Sequence, residues 1–117
     1  MNQKLKRIYD GLNLEFWNGE LPEIEIQSSK RLDDCMGLFI WPRKKTDDAP
    51  GGYKIILCSS ITTRKEQRDT LLHEMCHLAV FLRNKEKFQK GRLSWHGVQW
   101  QAEMIRVGFE PPITPYT

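Results

Sequence analysis

Of the three histidines in this chain, His73 and His77 stand four residues apart, and Glu74 directly follows the first. The stretch Leu71-Leu72-His73-Glu74-Met75-Cys76-His77-Leu78 is an H-E-x-x-H pattern inside an apolar run that reads as helix. At about 100° per residue, positions four apart return to within about 40° of one another, one turn along the same face. Two imidazoles placed in this way can both reach one tetrahedral metal at about 2.0–2.1 Å. Glu74 then points beside the metal, where a carboxylate can take a proton from water and later deliver it to a leaving group. The spacing suits metal-assisted hydrolysis, with His73 and His77 as ligands and Glu74 as general base. The plain competitor is a helix on which two histidines fall four apart by chance.

A catalytic zinc site usually takes three protein ligands. His96, in Ser94-Trp95-His96-Gly97-Val98-Gln99-Trp100, is the one histidine left. A helix folding back antiparallel on the motif helix could bring it to the metal. Glu103 is the nearest rival, and the preference of zinc for imidazole favours His96. Trp100, one helical turn beyond His96, is expected to pack against the motif helix and position that ligand. No second donor for a developing oxyanion can be named, although a backbone N–H or Tyr53 could serve. Cys76 beside His77 invites a thiolate–imidazole reading. Neighbours on one helix rarely give that pair the alignment it needs.

These residues must be positioned by helices and strands that the pattern suggests. Leu5, Ile8, Tyr9, Leu12 and Phe16 recur at helical steps, Trp17 widens the face and Asn18-Gly19 stops the helix. Glu23 to Gln27 alternates as a half-buried strand. Cys35 to Trp41 reads as a second strand, with Gly37 at a bulge or a close backbone approach. Tyr53 to Cys58 reads as a third, forming a hairpin with the second across a polar Pro42–Gly52 loop. Thr63-Arg64-Lys65-Glu66 is a capping box that opens the motif helix over Arg64–Leu82, with Asn84 closing it. Lys85 to Leu93 reads as a polar, basic connection. Ser94 is the expected N-cap of a last helix running to about Val107, with Gly108 as its C-cap. Pro111, Pro112 and Pro115 keep the tail, about 109–117, extended.

The totals narrow the class. A chain of 117 residues has room for one core. Its net charge of +3 permits nucleic-acid binding without requiring it. Three cysteines, widely spaced and without C-x-x-C, argue against a disulfide framework or a zinc ribbon. No stretch is apolar and long enough to span a bilayer, and the N-terminus lacks a signal-like core. The expectation is a soluble, cytoplasmic protein without membrane partners.

Three segments, Leu14-Glu15-Phe16-Trp17-Asn18-Gly19-Glu20-Leu21-Pro22, then His73-Glu74-Met75-Cys76-His77, then His96-Gly97-Val98-Gln99-Trp100, resemble the SprT-like (Spartan-type) metalloprotease domain in order and spacing. The resemblance spans nearly the whole chain, in a minimal form without a C-terminal zinc ribbon. It implies a zincin-like α+β single domain over 1–117. That domain has an N-terminal helix, a small, mainly antiparallel three-stranded sheet, the H-E-x-x-H helix and a C-terminal helix carrying the third ligand. It implies one Zn2+ on His73, His77 and His96, with Glu74 as general base. Eukaryotic members similar to this chain cleave proteins crosslinked to DNA and are stimulated by DNA.

A protein or peptide substrate and, through the basic residues, single-stranded DNA are therefore the expected partners. Arg83, Lys85, Lys87, Lys90 and Arg92 cluster after the motif helix beside Phe88 and Trp95, and Arg43-Lys44-Lys45 forms a second group. Cations interleaved with aromatics suit backbone contact plus base stacking. A solvated polar loop would show the same composition. The alternative function is a non-proteolytic, zinc-stabilised module that binds DNA or protein. A closed four-ligand site would favour it, whereas a base beside the metal would have no use there.

Overall fold

Helix α1 (Gln3–Trp17) buries Leu5, Tyr9, Leu12, Asn13 and Trp17 along one stripe. Its chain then turns through Asn18 and Gly19, both in the left-handed region at φ 53° and 75°. The buried Asn13 clamps the segment beyond that turn: its side-chain amide donates to the Leu21 carbonyl and accepts from the Leu21 N–H, each at 3.0 Å. Tyr9 adds a 2.6 Å hydrogen bond to the Pro22 carbonyl. The exit from α1 is thereby tied back onto the helix, which aims the chain into the sheet. The computed structural model describes residues 3–30, 36–41, 53–89 and 95–114.

Three strands come next, β1 (Glu25–Ser29), β2 (Gly37–Ile40) and β3 (Lys54–Cys58). Their spatial order is β1-β3-β2. β2 pairs antiparallel with β3, the expected hairpin, but β1 pairs parallel with β3. The sheet is mixed, which corrects the mainly antiparallel expectation. Alternation along a strand reports which face is buried and says nothing about which strand lies next to it. Here the fully buried Ile26 and Ile55 stand in register, so β3 sits between its two predecessors. Ile26, Phe39, Ile55 and Leu57 face the core, whereas Met36, Leu38 and Ile40 are exposed along the β2 edge.

Helix α2 (Arg64–Arg83) starts as expected, with the Thr63 hydroxyl accepting from the Glu66 N–H at 3.2 Å. Asn84 closes it, its N–H donating to the Phe81 carbonyl and its side-chain amide to the Val80 carbonyl. From Leu71 to Phe81 every residue except His73 is buried. A helix apolar nearly all round belongs in the middle of a fold, and α2 packs against α1, β2, β3 and the last helix.

Two elements depart from expectation. Part of the polar connection is a short helix, α3 (Lys85–Gln89), held because Phe88 turns inward and stacks on Trp95 at 4.3 Å. The last helix, α4 (Val98–Arg106), opens at Gly97 rather than at Ser94, which lies outside the described residues. Its end is as expected. Gly108 takes φ 111°, its N–H donates to the Ile105 carbonyl, and the Phe109 N–H reaches the Met104 carbonyl, a Schellman closure. Residues 109–114 continue without helix, as the prolines suggest. Among the described residues, no helix is long and apolar enough to cross a membrane.

Candidate active site

His73, Glu74 and His77 occupy the buried middle of α2, where packing on several sides leaves little freedom to the side chains. His96 approaches from the turn just before α4, so the last helix follows this residue rather than carrying it. That placement corrects the expectation of a helix-borne third histidine. Residues ahead of an N-cap project beyond the helix end, and this lets the ring reach across to α2.

The three imidazoles converge. One nitrogen from each of His73, His77 and His96 lies within 4.8 Å of the others, a set that could hold a metal ion. Ring centres are 5.2 Å apart for His73–His77, 4.9 Å for His77–His96 and 6.5 Å for His73–His96. Imidazoles bound to one zinc at about 2.0–2.1 Å would have ring centres about 5 Å apart. The His77 Nδ1 is also buried with no hydrogen-bond partner among the described residues. Three imidazole nitrogens gathered at one point are a donor set that fits zinc.

Electrostatics reinforce this. Burial, and then the neighbouring His73 and His96 rings, push the His77 pKa down to about 3 in the metal-free chain. Burial lowers His96 as well. His77 and His96 are thus held neutral, the form a metal needs. Glu74 responds in the opposite sense, its carboxyl raised to about 8 by burial. The Glu74 Oε2 lies 3.9 Å from His73 Nε2, so the carboxylate stands beside the histidine cluster.

Trp100 supports all three rings from below. It stacks on His77 at 4.9 Å and 4°, and meets His73 and His96 edge-on at 5.1 and 4.8 Å. On the other side Trp95 contacts His77 at 5.9 Å and joins Phe39, Trp41, Phe81 and Phe88 in an aromatic cluster.

Glu103, the rival ligand, is committed elsewhere. Its buried carboxylate accepts from Trp17 Nε1 at 3.0 Å and pairs with Arg83 at 2.8 Å and Arg106 at 2.7 Å. This hub ties α1, α2 and α4 together, a role not assigned from sequence. A charged residue on the same buried face as Trp100, Met104 and Val107 was the available signal. Cys76 is free and fully buried, and burial raises its thiol far above the ordinary value, so it offers no thiolate.

The basic group is only partly assembled. Arg83 is engaged by Glu103, Lys85 lies over the Tyr53 ring at 5.8 Å, and Lys87 is exposed on α3. Lys90, Arg92 and the Arg43–Lys45 group lie outside the described residues. Phe88, read as a stacking surface, is inside the core instead.

The SprT-like family model matches residues 5–117. The chain is 30% identical over 107 residues to the human DNA-dependent metalloprotease SPRTN, covering 88% of this chain and 20% of that protein. It is 30% identical over 96 residues to the DNA-dependent metalloprotease dvc-1 of Caenorhabditis elegans, covering 79% and 24%. It therefore spans about a fifth to a quarter of the length of these curated relatives. Since the family match runs through α1, the sheet and both histidine segments, this chain belongs to the SprT-like family.

Proposed function

We propose that this chain is a zinc-dependent endopeptidase domain of zincin type, acting on proteins bound or crosslinked to DNA. The observation that carries the reading is the convergence of His73, His77 and His96 with the buried Glu74 carboxylate beside them. A zinc ion on the three imidazoles would supply a Lewis acid and bring the ionisation of water toward about pH 7. Glu74 accepts the proton from the attacking water and returns it to the departing amine nitrogen. Burial raises the Glu74 carboxyl, and the positive charge of a bound zinc would favour its ionised, proton-accepting form. Trp100 and the walls of α2 hold the imidazoles in place while this happens.

An extended peptide can add to the outer edge of β2, which pairs with no further strand among the described residues and flanks α2 at the sheet margin. Its exposed Met36, Leu38 and Ile40 would then meet alternate side chains of the substrate. Single-stranded DNA is the second partner in this reading. It is supported by relatives whose names call them DNA-dependent and by the basic residues Arg83, Lys85, Lys87, Lys90 and Arg92.

The test is cleavage of a DNA-binding protein by the zinc-loaded chain, with and without single-stranded DNA, with Glu74→Gln as control. Cleavage that needs Glu74 and rises with DNA is the expected result. Cleavage indifferent to DNA would leave a peptidase directed by something else. Tight zinc and DNA binding without any cleavage would replace the peptidase with a binding module.

A further inference from the structure

Gly37, the first residue of β2, faces α2 beside Glu74. A Cβ at this position would lie 2.9 Å from Thr70 Cγ2, 3.3 Å from Glu74 Cγ and 3.5 Å from Glu74 Oε2. Carbon atoms attract best at about 3.5–4.0 Å, so even one methyl group here would displace its neighbours. The backbone does not demand glycine, because Gly37 is not in the left-handed region. What matters is the space.

Neither side can yield easily. Gly37 pairs with the buried Leu57, and the Met36 carbonyl accepts from the Cys58 N–H at 2.8 Å, which pins the strand to β3. Opposite it, Thr70 and Glu74 are four apart on one face of α2, whose next turns are buried. The missing side chain lets the edge strand close onto the base.

We infer that Gly37 is a positioning residue for the Glu74 carboxylate, an inference that rests on the peptidase reading. The bare strand forms one wall of the Glu74 site. It fixes the distance between the carboxylate and the β2 edge, and so between the base and a peptide lying along that edge.

The experiment compares zinc-loaded wild type, Gly37→Ala, Thr70→Ser and the double variant Gly37→Ala/Thr70→Ser, with Glu74→Gln and Gly37→Ala/Glu74→Gln completing a cycle for hydroxamate affinity. Melting temperature, zinc affinity, kcat and KM on an unstructured peptide, and affinity for a peptidyl hydroxamate are measured for each. Thr70→Ser removes the Cγ2 methyl and with it the 2.9 Å clash, but leaves the 3.3 Å contact with Glu74. Gly37→Ala is expected to lower the melting temperature and to reduce kcat about a hundredfold, the loss that a displacement near 1 Å can cause. KM and zinc affinity should stay near wild type. In the double variant the melting temperature should recover while kcat remains about tenfold down.

Full recovery of kcat together with stability would make Gly37 a packing residue alone and overturn the inference. So would an unimpaired Gly37→Ala. If Gly37→Ala does not fold, the double variant carries the comparison with wild type on the same criteria. The hydroxamate separates the two readings. A wild-type chain that cuts no peptide overturns the peptidase proposal. Non-additive losses of hydroxamate affinity from Gly37→Ala and Glu74→Gln would still support the positioning role, and additive ones would sink it.

Discussion

Trp100 lies flat against His77, the two rings 4.9 Å apart and 4° from parallel. The indole N–H has no hydrogen-bond partner among the described residues, so Trp100 acts here through its surface. Trp100→Phe should therefore keep most of the metal affinity, whereas Trp100→Ala should weaken zinc binding about 10–100-fold, as loss of a ligand-orienting partner does. Competition against a fluorescent chelator measures this. Equal affinities in wild type and Trp100→Ala would show that the imidazoles orient themselves.

Glu74→Gln should retain zinc at wild-type stoichiometry and lose turnover by about 10²–10⁴, the usual contribution of a positioned acid or base. The carboxamide keeps the shape and removes the proton acceptor. Metal content by elemental analysis, paired with peptide cleavage, decides it. Surviving activity would move the base to another group.

On the proposed reading, zinc should stabilise the fold as well as serve the chemistry, because the histidines that could hold it come from α2 and from the turn before α4. At a thousandfold excess over Kd it adds about 4 kcal/mol, a rise in melting temperature on the order of 10–20 °C. Calorimetry before and after chelation, then with zinc restored, reads the effect. His96→Ala should lose most of the rise. An unchanged melting temperature would mean that the three rings do not share a metal.

Glu103 links pH to stability. Burial alone would raise its carboxyl, but hydrogen bonds from Arg106, Trp17 and Arg83, together with the Arg83 charge, hold it below its ordinary value. A carboxyl depressed in the folded state adds stability above its unfolded pKa, about 4.3. That stability is lost as pH falls through the lower, folded value. Wild type should therefore lose stability more steeply below about pH 4.3 than Glu103→Gln. Glu103→Ala at neutral pH should cost about 3 kcal/mol, the low end for a broken buried pair, because both guanidiniums are half in water. Parallel acid titrations of the two proteins would refute the hub.

Local patterns carried much of the architecture. The H-E-x-x-H spacing, the Thr63 capping box, Asn84 as a stop and Gly108 as a helix end all depend on residues within about a turn of one another. They could be read directly and recur in the structure. At Gly37 a glycine inside a strand pattern left a bulge or a close approach open, and the structure shows regular pairing with Leu57 and the close approach to α2.

Which distant residues meet was a different matter. Alternation in β1 could not say that β3 would lie beside it in parallel, nor could Phe88's polar neighbours reveal that it turns inward. Glu103 shows the limit most clearly. Sequence alone offered its carboxylate as a rival ligand, and only the packing of α1, α2 and α4 brings Trp17, Arg83 and Arg106 to it. Short-range chemistry is written in residue spacing. Long-range pairing is set by which buried surfaces fit together, and that information exists only once the chain has folded.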